Sequence, residues 1–192
     1  MNPDIFDEAV AVIKNYFDSR TDGLSEVVLR DLWAYPIDFV IRKYQIPSLV
    51  MDQFYATIAN IDYRKLAIKP YHDYAMIHEF NHPKVLVTTG LRILQNAKIN
   101  ALGIRKDFEA IHIDDPTSIP RNDKLSIFQR LLEASNLKAE QFWVIGDNPD
   151  SELKAARILG MKSVQRSSKT KNVSNEVHHY IDSFSELRGI IH

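Results

Sequence analysis

Three side chains with complementary chemistry recur at matching points along the chain: the hydroxyl of Thr88, the ammonium of Lys124 and the carboxylate of Asp147. Thr88 and Thr89 close the apolar run "VLVTTG", and Gly90 follows, where a missing side chain lets backbone N–H groups approach an anion at a helix start. Lys124 opens "DKLSIFQRLLEASNL", and Asp147 ends "FWVIGD", ahead of "NPDSELKAARILG". A hydroxyl and an ammonium suit phosphate oxygens. A carboxylate suits a hard divalent ion such as Mg²⁺, which takes few carboxylates together with water and substrate phosphate. Asn148 is placed to cap the following helix with Pro149 at its first position, and Asp150 and Glu152 add negative charge to the first turn. Taken singly, each residue has a plainer reading: a turn threonine, a solvated lysine, a capping aspartate. Their order, one strand–helix unit apart, is what argues for a shared site.

The elements that must position these groups follow from hydrophobic spacing. From about Lys84 short apolar runs alternate with helical patterns: "VLVTTG", "FEAIHI", "FWVIGD", "KSVQR" and "HHYI" read as strands, with helices between them and a closing helix over "SFSELRGII". Such alternation predicts an α/β, Rossmann-like fold, a parallel sheet with helices on both faces. Ligands of such sheets sit beyond the carboxyl ends of the strands, where Thr88 and Asp147 fall. The preceding residues are helical. Phe6, Ala9, Val10, Ile13 and Phe17 recur three or four apart, "RTDGLS" is a turn, and further helices break near Pro36 and Pro47. Residues 1–68 are thus expected to form an N-terminal helical layer and 69–192 the α/β core. "RSSKTKNVSNE" reads as a surface loop.

Composition narrows the function classes. The 192 residues carry a formal net charge of -1 with basic residues scattered, so no basic stripe points to nucleic acid. There are no cysteines, which removes disulfides, thiolate metal sites and thiol nucleophiles. The N-terminus has acids where a secretion signal needs basic residues, and no apolar run approaches the roughly 20 residues that span a bilayer. The expectation is a soluble, cytoplasmic protein with no membrane and no nucleic-acid partner. His72 and His78, six apart on an expected helix, point about 120° apart and make poor co-ligands. His178 and His179 adjoin on a strand and face opposite sides. Trp143 reads as core. Trp33, Tyr35, Phe39, Phe54 and Tyr55 read first as helix-packing groups and second as a roof over a substrate.

"VLVTTGLRILQNAKINALGI", Lys124 in "DKLSIF" and "VIGDNPDSELKAARILGMKSV" together resemble the second, third and fourth motifs of the haloacid dehalogenase-like superfamily of hydrolases, most of them phosphatases. The likeness runs from about Ile68 to the C-terminus, and the fourth motif is its most specific part. It implies that Thr88 and Lys124 hold a phosphoryl group with Thr89 and Gly90 beside it. It also implies that Lys124 steadies a nucleophile, that Asp147 ligates Mg²⁺, and that Glu152 stands in the second shell where other members often have Asp. The helical residues up to about Ile68 resemble the cap inserted after the first strand of many members. The implied activity is Mg²⁺-dependent hydrolysis of a small phosphorylated metabolite through an aspartyl-phosphate.

The same resemblance exposes a gap. Family catalysis uses an apolar strand followed by Asp-x-Asp, one Asp attacking phosphorus and the next protonating the leaving group. Asp4 has only Met1 to Pro3 before it, and Asp114 and Asp115 fall between the second and third motifs. The chain is therefore expected to begin within the cap, to lack the central nucleophile strand and to be inactive as it stands. The first account of the gap is a sequence shortened at its start; the second is that the unpaired sheet edges are open to a strand-donating partner or self-association. The alternatives are a non-catalytic module that binds a phosphorylated ligand and, ranked lower because "GDNPDSE" suits a metal, a haloacid dehalogenase.

Overall fold

A computed structural model describes residues 3–166 and 175–191, with the side chains of Pro3 and Asp4 outside that description. The chain divides into two compact units, one of Met1–Lys69, Thr89–Lys106 and Asp115–Arg121, the other of Pro70–Thr88, Asp107–Asp114 and Asn122–His192.

The first unit is helical and is organised by one stripe. In α1 (Asp7–Asp18), Ala9, Ile13 and Phe17 stand four apart and are fully buried, the pattern of a helix with one face in a core. Against it pack Val28 of α2 (Ser25–Ala34), Val40 of α3 (Ile37–Tyr44) and Met51, Phe54 and Ile58 of α4 (Ser48–Ala59). Pro36 and Pro47 occupy the N-cap positions of α3 and α4. Each helix resumes directly after a proline because the first turn has no use for the missing N–H. The buried Asp31 ties α2 to α3, accepting from Lys43 Nζ and from the Tyr44 hydroxyl, both at 2.7 Å. Those two donors hold its carboxyl below the ordinary range. A further helix, α5 (Arg92–Leu102), belongs to this unit, with Leu94 and Ala97 against the same core. Gly103 closes it in the left-handed conformation at φ 68°.

The second unit is α/β. β4 (Lys162–Arg166) lies between β3 (Trp143–Gly146) and β5 (His179–Ile181), parallel to both, with Ile145 beside Val164 and Gln165 beside Tyr180. β1 (Val85–Thr89) and β2 (Ala110–Asp114) form a separate two-stranded sheet, so the described strands make two sheets where the sequence suggests one. The cause is that β1 and β3 do not pair: each is an edge among the described residues. α6 (Lys124–Glu133) and α7 (Glu152–Ile158) pack together through Ile127, Phe128, Ala155 and Ala156, with Val87 and Val144 against the same cluster.

The C-terminal segment is fastened by a buried ion pair. Asp73 accepts from the Phe184 N–H at 3.0 Å and from Arg166 at 3.2 Å, and the Arg166 guanidinium lies over the Tyr71 and Phe184 rings. The closing helix expected over "SFSELRGII" forms as a 3-10 helix, Phe184–Gly189, closed at its start by reciprocal bonds between Ser183 and Glu186.

Three other local expectations change. α7 starts at Glu152 with Ser151 as N-cap, because Asn148 spends its side chain on the Asp150 N–H at 3.1 Å and its carbonyl on Ser151. His72 precedes a 3-10 helix, Tyr74–Glu79, and shares no helix with His78. Most of the loop expected at 166–176 lies outside the described residues.

Candidate functional site

The site builds up from the turn after β3. Gly146 ends the strand, and a Cβ there would overlap Cγ and Oε1 of Glu152, so only glycine leaves the Glu152 side chain room to fold back across the turn. That fold-back gives Glu152 Oε1 two backbone donors, the N–H groups of Asp147 at 3.0 Å and Asn148 at 2.8 Å. Its other oxygen, Oε2, takes Lys124 Nζ at 2.6 Å. Lys124 arrives as the first residue of α6, whose start is fixed by Asp123 accepting the Ser126 N–H at 2.9 Å.

This is a sheltered pair: the side chains of Lys124 and Glu152 are 14% and 10% exposed. Burial pushes the Glu152 carboxyl upward, but the Lys124 ammonium and the backbone N–H groups outweigh it and hold the group below its ordinary value. Glu152 is thus an anion that orients both the lysine and the Asp147 turn. Asp147 is left with its own carboxylate exposed and without a hydrogen bond or ion pair among the described residues. Sequence reasoning puts Glu152 beside a metal; in the structure its two oxygens are committed to Lys124 and the turn. The signal for that role was present in the sequence as a glycine six residues before an acid, but nothing in the spacing alone says that the acid folds back.

Thr88 is half-buried near the end of β1, in the same unit as Lys124 and Asp147. The Thr89 carbonyl accepts from Gln95 Nε2 at 3.0 Å, and Gly90, at φ 143°, lies under the Gln95 side chain where no Cβ fits. The Arg92 N–H at the start of α5 is taken by Asp115 Oδ2 at 2.9 Å, so one helix-start donor that an anion would use is already occupied by the protein's own carboxylate. The other Asp115 oxygen accepts the Thr117 N–H at 3.0 Å and hydroxyl at 2.8 Å. Burial alone would raise the Asp115 carboxyl, yet the Thr117 and Arg92 donors hold it low. With both oxygens tied down, Asp115 is a loop fastener, and its neighbour Asp114 is buried. Among the described residues, no three His, Asp or Glu side chains converge as a ready-made metal cage.

The histidines and aromatics sort as follows. His178 accepts the Ser163 N–H through Nδ1 at 3.2 Å, and Trp143 packs beside His179 with the Lys162 ammonium over its ring. Phe54 is core of the helical unit, whereas Trp33, Tyr35 and Phe39 are exposed on it.

A family model described as haloacid dehalogenase-like hydrolase matches residues 13–160. A glyceraldehyde 3-phosphate phosphatase from Methanocaldococcus jannaschii is 30% identical over 109 residues, which is 55% of this chain and 47% of that protein. A phosphoserine phosphatase from Thermus thermophilus is 29% identical over 79 residues, 41% of this chain and 31% of that protein. The chain therefore spans less than half the length of either relative. A solved haloacid dehalogenase-type phosphatase from Thermococcus onnurineus superposes with a TM-score of 0.62 at 15% identity, covering 98% of this chain and 86% of that one, a likeness of fold.

Proposed function

From a chain that belongs to the haloacid dehalogenase-like hydrolase family, we propose a phosphate-binding core of a phosphatase that acts on small phosphomonoesters. The observation that carries the reading is the Lys124–Glu152 pair: an ammonium held at 2.6 Å from a carboxylate, and through that carboxylate tied to the turn bearing Asp147. Lys124 would neutralise an incoming phosphate dianion, and Glu152 keeps its ammonium from swinging away. The Thr88 hydroxyl, in the same unit, would supply a donor to another phosphate oxygen. Asp147 fits Mg²⁺, as an exposed, uncommitted carboxylate on a turn bonded to Glu152, and the ion would there stabilise charge on the phosphoryl oxygens. One carboxylate makes for weak metal binding until phosphate joins it.

The attack on phosphorus requires a carboxylate that these 192 residues do not offer in the resembling position. We infer that this chain alone turns over little or nothing, and that the β1 and β3 edges accept a strand from a partner or a second copy. Isothermal titration of the 192-residue chain with inorganic phosphate and Mg²⁺ tests the reading. Millimolar or tighter phosphate binding is expected, lost in Lys124→Ala and strengthened by Mg²⁺ only when Asp147 is intact. No phosphate binding by the folded chain would sink it, and Mg²⁺-dependent phosphatase activity abolished by Asp147→Asn would overturn the claim of inactivity.

A non-catalytic phosphate-binding module is the second reading. It is favoured by Asp115, whose two oxygens already serve the loop, one accepting the Arg92 N–H and the other the Thr117 N–H and hydroxyl. Turnover by the chain once a strand carrying Asp-x-Asp is supplied separates the phosphatase from this alternative.

A further inference from the structure

The helical unit contains a cavity of about 310 Å³, and every residue that lines it belongs to that unit. Phe54 and Leu94 are among its apolar groups, and its wall also carries Trp33, the hydroxyl-bearing Tyr35 and Thr89, and Lys98. Trp33 and Tyr35 are exposed, so the cavity opens to solvent on their side. Leu94 and Lys98 are four apart on α5 and share a face, which places the lysine in the same wall as the apolar side chains. Lys98 is half-buried and has no hydrogen bond or ion pair among the described residues. Burial, with no carboxylate to offset it, lowers its pKa.

A lysine taken partly out of water without a counter-ion is relieved when its proton leaves, and the neutral amine that remains is a nucleophile. A carboxylate ligand would answer the ammonium but bring a second charge out of water. A neutral amine and a neutral carbonyl meet with no charge to desolvate. A cavity of about 150 Å³ holds a benzene ring, so this one has room for a ring with a short side chain. Burying such a ring favours the bound form by about tenfold or more.

We propose that Lys98 is a covalent capture site for an apolar, ring-bearing aldehyde, which the cavity wall holds and the lysine joins as an imine. The Lys98 ammonium first gives one proton to water. Its nitrogen lone pair then adds to the carbonyl carbon, the C=O π pair moves to oxygen, and a proton passes from nitrogen to that oxygen. The carbinolamine so formed loses water as the C=N bond closes. Amine and aldehyde become imine and water, and no oxidant or reductant takes part. The Tyr35 hydroxyl, which makes no hydrogen bond among the described residues, is a donor in the wall for the carbonyl oxygen. The proposal concerns the helical unit alone and does not rest on the phosphatase reading.

The test is reductive trapping. The 192-residue chain is incubated at neutral pH with benzaldehyde and cyanoborohydride, which fixes imines as they form, and the modified lysines are located by peptide mass spectrometry. Lys98 is expected to be labelled about tenfold or more ahead of the exposed Lys154, and acetaldehyde, which has no ring to bury, is expected to show no such preference. Leu94→Trp, which fills the space, should bring Lys98 down to the level of Lys154. Equal labelling of Lys98 and Lys154 in the unmodified chain overturns the proposal without any variant, as does the same preference with acetaldehyde. Protection of Lys98 by benzoate but not by benzyl alcohol at the same concentration would mark the lysine as an anion site, and overturns it too.

Discussion

Replacing Glu152 with glutamine separates the charge of the Lys124–Glu152 pair from its shape. The amide keeps the volume and one oxygen, so the Asp147 and Asn148 N–H groups retain their acceptor if that oxygen stays in place. The amide nitrogen then faces the Lys124 ammonium, donor against donor, where Oε2 accepted at 2.6 Å. Turning the amide over moves the same conflict onto the backbone. Removing one partner of a buried pair costs about 3–5 kcal/mol. With 14% and 10% of the two side chains still exposed, the lower end applies, about 3 kcal/mol. Lys124→Met should cost less, about 1–2 kcal/mol, since the carboxylate keeps two N–H donors. In the double variant no amide faces a charge, so the losses should fall short of additivity by about 1–3 kcal/mol.

The assay is urea unfolding followed by tryptophan fluorescence. The chain has two tryptophans, and in a Trp33→Phe background the signal comes from Trp143 on β3, in the unit that holds the pair. The same pair sets a pH dependence. The Glu152 carboxyl is held below its ordinary value near 4.5 when folded, so its contribution is present above that pH and is lost as pH falls through the lower folded value. Glu152→Gln should flatten that acid limb. Additivity within about 0.5 kcal/mol, or an unchanged acid limb, would refute the claim that the two groups act as a unit.

Gly146→Ala forces a methyl into Glu152 Cγ and Oε1, and should destabilise the α/β unit by about 1–3 kcal/mol in the same urea assay while weakening phosphate binding; a neutral substitution would mean the side chain need not fold back. Asp115→Ala leaves the Arg92 N–H and both Thr117 donors without their acceptor and should cost about 1–2 kcal/mol, seen in the Trp33 signal of a Trp143→Phe background. Asp73→Asn strips the charge facing Arg166, whose side chain is only 15% exposed, and should cost about 2–3 kcal/mol by Trp143 fluorescence. A loss below about 0.5 kcal/mol would show that ring stacking on Tyr71 and Phe184 suffices to hold Arg166.

Elements with a clean period were legible from sequence. Ala9, Ile13 and Phe17 gave α1, and "KSVQR" gave β4 with its bounds, because an apolar stripe or an unbroken buried run depends on few long-range choices. Thr88, Lys124 and Asp147 were legible as types at strand and helix ends. What was hidden is which acid does which task. Glu152 and Asp115 are both carboxylates beside helix starts, and only the tertiary fold decides that one neutralises Lys124 and the other fastens Arg92. The cap of α7 shifted from Asn148 to Ser151 for a related reason: an asparagine before a proline can serve a turn as readily as a helix, and the turn won. Lys98 gave no signal at all, since a lysine in a helix reads as solvated until its neighbours are known.

The strands at the site carry one unresolved conflict between sequence and position. β4 is flanked on both sides, and its central residues Ser163, Val164 and Gln165 are all buried. β3 has the apolar, gapless sequence of an interior strand, Trp143 to Gly146, yet it is an edge among the described residues, with Ile145 38% exposed. Val85 of β1 is exposed to the same degree, at 37%. Edge strands are ordinarily blunted by lysine, proline or a bulge, and β3 carries none of these. An interior sequence at an edge is relieved by one more strand, which is why the β1 and β3 edges are the place to look for a partner. In parallel pairing about half of the β3 amides point away from β4. Hydrogen exchange should find those amides fast in the chain alone, while β4 amides stay protected, and should find them slowed when a complementing strand is bound. Uniform protection across β3 and β4 in the isolated chain would show that the edge is already covered, and the strand-accepting role would fall with it.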